Sequence, residues 1–61
     1  MNAVFTKGQV VRGVVTGRFV VVKTEFSQVV GETIVTVKQI GPNGEIARST
    51  MRFVASILVA E

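Results

Sequence analysis

Apolar and polar residues alternate at a spacing of two over much of the chain, and β-branched residues dominate wherever they do. No window of helical length carries apolar residues at three-to-four spacing. The pattern therefore predicts strands throughout and an all-β class. One stretch departs from simple alternation. In "GQVVRGVVTGRFVVVK", residues 8 to 23, valine fills almost every position that is not glycine or a cation. A strand with one buried face needs apolar residues on that face only, so something must cover the other side of this segment.

Turn residues divide the pattern. In "IGPNGEI", Pro42 presets the first central position of a type I turn, Asn43 suits the second, and Gly44 takes the left-handed conformation of a G1 bulge. Gly41 then faces Glu45, and the ladder pairs Gln39 with Ala47, Val37 with Ser49, Val35 with Met51 and Thr33 with Phe53. One face holds Val35, Val37, Ala47, Met51 and Phe53, the predicted core. The other holds Ile34, Thr36, Lys38, Ile40, Ile46, Arg48, Thr50 and Arg52. A similar turn at Thr16 and Gly17 sets Val14 opposite Arg18, Arg12 opposite Val20 and Phe19 opposite Gly13. Val11, Phe19 and Val21 join the core, while Val10, Val14, Val20 and Val22 lie outside around Arg12 and Arg18. Two coverings satisfy those outer valines: strong coiling folds the sheet over its own strand halves, or a partner surface buries them.

After Met51 the alternation fades. Phe53 to Ser56 suits a 3₁₀ turn leading into a short last strand, Ile57 to Ala60. Five strands with a tight hairpin, a 3₁₀ turn and a short closing strand resemble the Src-homology-3-like small barrels, with "FTKGQVVRG" and "RFVASILVAE" as their opening and closing segments. The resemblance implies a small, five-stranded, strongly bent barrel as one domain over residues 1–61. A second resemblance lies in "GQVVRGVVTGRFVVV", which looks like the Sm-like RNA-binding rings: a glycine, apolar residues, a second glycine, then a phenylalanine followed by aliphatics. Arg18 stands where that family usually has an acidic residue, and no amino-terminal helix is expected, so the family's specific RNA pockets do not carry over.

Composition narrows the function. With 61 residues, no cysteine and no histidine, the chain lacks disulfides and the usual zinc ligands, which leaves self-association as the means of supporting a small core. No signal-peptide pattern and no apolar run of membrane-spanning length appears, and a cytoplasmic protein without membrane contact is expected. Histidine, cysteine, aspartate and tyrosine, the better groups for proton transfer and attack, are all missing, so neither catalysis nor a cofactor is expected. One family of plasmid dihydrofolate reductases shares the small-barrel shape and uses a Val-Gln-Ile-Tyr stretch. Val37-Lys38-Gln39-Ile40 approaches it without the tyrosine, and the activity does not carry over. Four phenylalanines, two of them in the predicted core, cannot build a proline-peptide groove or a base-stacking platform.

The cations remain. A net charge of +3 favours polyanions, and the predicted register sets Lys38 directly across from Arg48 with Arg52 further along the same strand and face. Like charges opposed across strands destabilise a sheet by roughly a few tenths of a kcal/mol, a cost that a bound phosphate removes. The first functional expectation is thus a homo-oligomeric, non-catalytic module that contacts the DNA or RNA phosphate backbone through Lys38, Arg48 and Arg52, with Arg12 and Arg18. The alternative is a protein-interaction adaptor or inhibitor, of the kind phages and plasmids encode as short free-standing chains, using Val10, Val14, Val20 and Val22.

Overall fold

The computed structural model of the protein describes residues 5–14 and 17–61. Five strands, β1 (Val10–Gly13), β2 (Arg18–Ser27), β3 (Glu32–Ile40), β4 (Ile46–Val54) and β5 (Leu58–Ala60), form one antiparallel sheet in the order β4-β3-β2-β1-β5. The first four strands follow one another as a meander, and β5 returns to pair with β1. The 3₁₀ turn lies at Ala55–Ile57, two residues later than the sequence places it, and the last strand opens at Leu58. The sheet is not closed: β4 and β5 are its two edges, and among the described residues no ladder joins them.

The Pro-Asn-Gly hairpin forms as its residues dictate. The Gly41 N–H donates to the Glu45 carbonyl at 2.7 Å, the Gly44 N–H donates to the Gly41 carbonyl at 3.0 Å, and Gly44 has φ +85°. Beyond it the register departs from a regular hairpin. Ile40 faces Ile46, but Lys38 faces Thr50, so Gln39 lies against the three residues Ala47, Arg48 and Ser49. This irregularity moves every later pair by two: Val37 faces Met51 and Val35 faces Phe53. A shift of two preserves which face each side chain takes, whereas a shift of one would exchange the faces.

The first hairpin behaves the same way. The Gly13 N–H donates to the Gly17 carbonyl at 3.0 Å, and Arg12 faces Arg18, Val11 faces Phe19 and Val10 faces Val20. The reversal thus comes one residue earlier than expected, because Gly17, at φ +95°, closes the ladder and is not a loop residue. The expected place of Thr16 in this turn lies outside the described residues. Phe19 consequently faces Val11 and not Gly13, and its ring covers Gly17, where an added Cβ would lie 3.0 Å from Cζ.

Between β2 and β3 the turn is built around Ser27, whose hydroxyl accepts from the Val30 N–H at 3.3 Å while its carbonyl accepts from Gly31 at 2.7 Å. Val22 is an extra residue in β2: Val21 faces Val37, yet Lys23 faces Thr36. Such a bulge bends a strand. It divides β2 into a first half shared by β1 and β3 and a second half paired with β3 alone.

The core lies on one face of this bent sheet. Val11, Val21, Val35 and Val37 are fully buried, with Phe5, Phe19 and Leu58 around them and Phe53 and Ala55 packed against the cluster. The Phe19 and Phe53 rings meet at 5.2 Å between centroids, tilted by 58°. Fully burying each valine contributes about 1.5–3 kcal/mol. Two expected core residues fall outside: Ala47 sits in the irregular stretch and is exposed, and Met51 is 41% exposed near the open edge.

The Gly17→Ala variant meets two costs, a left-handed conformation of about 1–2 kcal/mol and the Phe19 ring. Gly44→Ala meets only the first, since nothing lies within 4 Å of its Cβ position. Urea unfolding should therefore show a larger loss of stability for Gly17→Ala than for Gly44→Ala; equal losses would show that the Phe19 ring does not pack over this turn.

Candidate nucleic-acid interface

Residues directly opposed on antiparallel strands project to the same side of the sheet, so the ladders define the face opposite the core. One row across it reads Val59, Arg12, Arg18, Ile40, Ile46. The next reads Val10, Val20, Lys38, Thr50, and the Glu61 N–H extends it by donating to the Val10 carbonyl at 3.2 Å. A third row holds Lys23, Thr36 and Arg52, and a fourth holds Glu25, Ile34 and Val54. The outer face therefore carries a diagonal of cations from Arg12 and Arg18 through Lys38 to Arg52, with Lys23 beside its far end.

This placement corrects the expected pairing. Arg48 does not face Lys38: Thr50 takes that position, and Arg48 belongs to the irregular stretch of β4 next to the hairpin. Arg52, four residues beyond Arg48, thereby comes within two residues of Lys38's partner Thr50, with which it shares the outer face. The direct opposition of like charges occurs instead between Arg12 and Arg18, where the sequence reading had Arg12 opposite Val20 and Arg18 opposite Val14. Both differences come from the two-residue offsets of the hairpins.

Two carboxylates answer the ends of the diagonal. Glu61 accepts from Arg18 in a bidentate pair, Nε to Oε2 at 2.8 Å and Nη2 to Oε1. Glu25 Oε1 lies 3.4 Å from Arg52 Nη2. Exposed pairs of this kind contribute little to stability, so they hold the side chains only loosely. The hydrogen bond from Arg18 keeps the Glu61 carboxyl below its ordinary value, against the opposing effect of desolvation and with lesser help from the charges of Arg18 and Arg12. The same hydrogen bond and charge raise the Arg18 guanidinium further. Arg12, Lys23 and Lys38 have no ion pair among the described residues.

The outer valines are covered in part. Val10, Val20 and Val22 are half-buried, Val22 as the bulge residue, whereas Val14 is 64% exposed. None is a core residue. Arg12, Arg18 and Lys38 are ladder neighbours of Val10 and Val20, and the aliphatic stems of such side chains lie along apolar surface while the charge stays in water. Thr36, flanked in its row by Lys23 and Arg52, is buried on this same face.

On the core side, Gly13, Val14, Phe19, Phe53, Ile57 and Leu58 surround an open apolar cavity of about 440 Å³ at the end of the sheet where β2 begins. Among the described residues no cluster of side chains fit to hold a metal ion occurs, and no helix is long and apolar enough to cross a membrane. The sequence reading missed Lys23 and Glu61. Lys23 reaches the outer face only because the Val22 bulge changes the alternation, and Glu61 reaches Arg18 only through the β1–β5 pairing of chain ends. No family model, curated protein or solved structure matches the chain.

Because its folded value is depressed, Glu61 adds stability at pH above the ordinary glutamate value of 4.5, and that contribution disappears as pH falls through the lower folded value. Carboxyl NMR titration should give Glu61 a midpoint below 4.5, returning toward it in Arg18→Ala. A wild-type midpoint at or above the ordinary value would show that the Arg18 pair does not persist in solution.

Proposed function

We propose that this protein is a non-catalytic binding module of the Src-homology-3-like small-barrel class that contacts the phosphate backbone of nucleic acid through its outer face. The observation that carries the reading is the Arg12–Arg18 opposition continued by Lys38. A sheet gains nothing in stability by opposing two guanidinium groups. A phosphate placed among these residues turns that cost into a set of charge-assisted hydrogen bonds. Lys23 and Arg52 extend the track across the third row.

The face suits backbone contact and not base readout. Beside cations and aliphatics it carries threonines and the paired Glu25 and Glu61, and among the described residues no aromatic side chain on which bases could stack. Binding by one protomer is correspondingly weak. About four phosphate contacts lose roughly a hundredfold in affinity between 50 and 200 mM salt, so useful affinity calls for several protomers on one strand. This supports a homo-oligomer acting in the cytoplasm, a setting with which the cysteine-free composition agrees. Arg48, off the diagonal, takes a secondary part. The rival role for the outer valines, as a protein-binding patch, draws less support because only Val14 among them is exposed.

Fluorescence anisotropy with labelled mixed-sequence duplex DNA and duplex RNA tests the reading. At low salt the wild-type protein should bind, and Arg12→Ala with Lys38→Ala should flatten the salt dependence by about two contacts. Arg48→Ala alone removes one charge off the diagonal and should weaken binding less than Arg12→Ala alone. Equal losses would reduce the effect to net charge, and an absence of low-salt binding would sink the proposal.

A further inference from the structure

Apart from Ile46, Met51 and Val59 on the edge strands, the exposed large apolar side chains fall into two groups, one at each end of β2. At its far end the turn to β3 projects Phe26 at 64%, Val29 at 98% and Val30 at 53% exposure. At its near end lies the open apolar cavity beside Phe19. From Phe19 to Phe26 the strand runs roughly 23 Å at about 3.3 Å per residue, along a molecule whose long dimension is 36 Å. One end is an apolar knob and the other an apolar hole.

The lining of the hole says what class of occupant it takes. Only Ser56 offers a polar side chain there, and the nearby Val14 N–H is already spent on the Ile57 carbonyl at 2.9 Å. A polar metabolite would find few groups to orient it, whereas an apolar side chain needs none.

Side and charge then single out the knob of another copy. Phe26 faces Thr33 in the ladder and so shares the core side with Val35, two positions along β3. Phe19 and Phe53, which line the cavity, belong to that same core side. The opposite side of the knob carries Glu32 and Glu25, the latter paired with Arg52, and the opposite side of the hole carries Arg12 and Arg18, the latter paired with Glu61. Stacking molecules head to tail along β2 brings apolar surface to apolar surface on one side and, on the other, Glu32 of one copy toward Arg12 of the next, two charges with no ion pair among the described residues. Tip-to-tip pairing would instead bring the Glu32 carboxylates of two copies together.

We propose that the protein self-associates head to tail, the Phe26–Val30 turn of one copy seated in the cavity between Phe19, Phe53 and Ile57 of the next. The contact joins two different surfaces, so it is heterologous and repeats into a row or a ring. The inference stands on the apolar ends and does not depend on nucleic-acid binding. A row of this kind does bring successive cationic faces together.

Sedimentation equilibrium on three proteins decides it. Wild type should associate beyond a dimer as concentration rises. Val29→Asp with Val30→Asp blocks the knob and leaves the hole, and Val14→Asp blocks the hole and leaves the knob. These positions are exposed, so circular dichroism should show both variants folded, and each should weaken self-association at least tenfold. Mixed together, the two variants retain one matching knob and hole, and they should form a one-to-one heterodimer that grows no further. Wild type that stays monomeric through the millimolar range, variants that associate like wild type, or a mixture that stays monomeric each overturns the proposal. An association that the Asp variants leave intact but Arg12→Ala abolishes would also overturn it, by moving the contact to the outer face.

Discussion

Everything in this protein depends on keeping Val11, Phe19, Val21, Val35 and Val37 on one side of a single sheet. The chain has one small core, and four valines form its centre. A slip of one residue in either major hairpin would turn those side chains to water and bring Arg12, Arg18 or Lys38 inward. Burying an unpaired cation costs several kcal/mol, more than any single valine contributes. The inner face is therefore specified by exclusion as much as by attraction.

That constraint acts on parity and leaves the offset free. Both hairpins sit two residues away from the pairing that regular turns would give, and both still place the same side chains inward. Offset is set by local backbone chemistry: Gly17 closing its ladder at positive φ, the irregular stretch between Ile46 and Thr50, and the extra Val22 in β2. The core tolerates the two hairpin offsets because each leaves its face intact, whereas the Val22 bulge reverses the alternation beyond it and turns Lys23 outward. The outer face changes substantially, since moving by two exchanges one cation's partner for another.

The outer face thus inherits its electrostatics from features that serve the core. The Arg12–Arg18 opposition follows from the early reversal at Gly13, Lys23 arrives through the bulge, and Glu61 arrives because β5 returns beside β1. Long cationic side chains suit such a face, since stems of this kind lie along apolar surface while the charges remain hydrated. The same residues can therefore shield apolar surface in the free protein and contact phosphate when it is present. The two apolar ends of β2 lie beyond the reach of that covering, which sets them apart from the valines of the face.

Period-two alternation and β-branched content determine the all-β class and most of the inner face, because strand geometry makes side choice a local property. The Pro42-Asn43-Gly44 turn was legible for the same reason: its conformation depends on three adjacent residues. Glycine at position 17 and the shift near Gln39 were not, since their effect is decided by whether a ring or a neighbouring strand is close. Phe5 and Leu58 entered the core, and Phe26 was left exposed, through contacts between segments far apart in the chain. Which cations meet across strands is likewise a property of register, and register answers to the packing of the whole sheet. The sequence alone thus specified most of the strand residues that turn inward, and tertiary structure decided the rest of the core and which outward residues stand together.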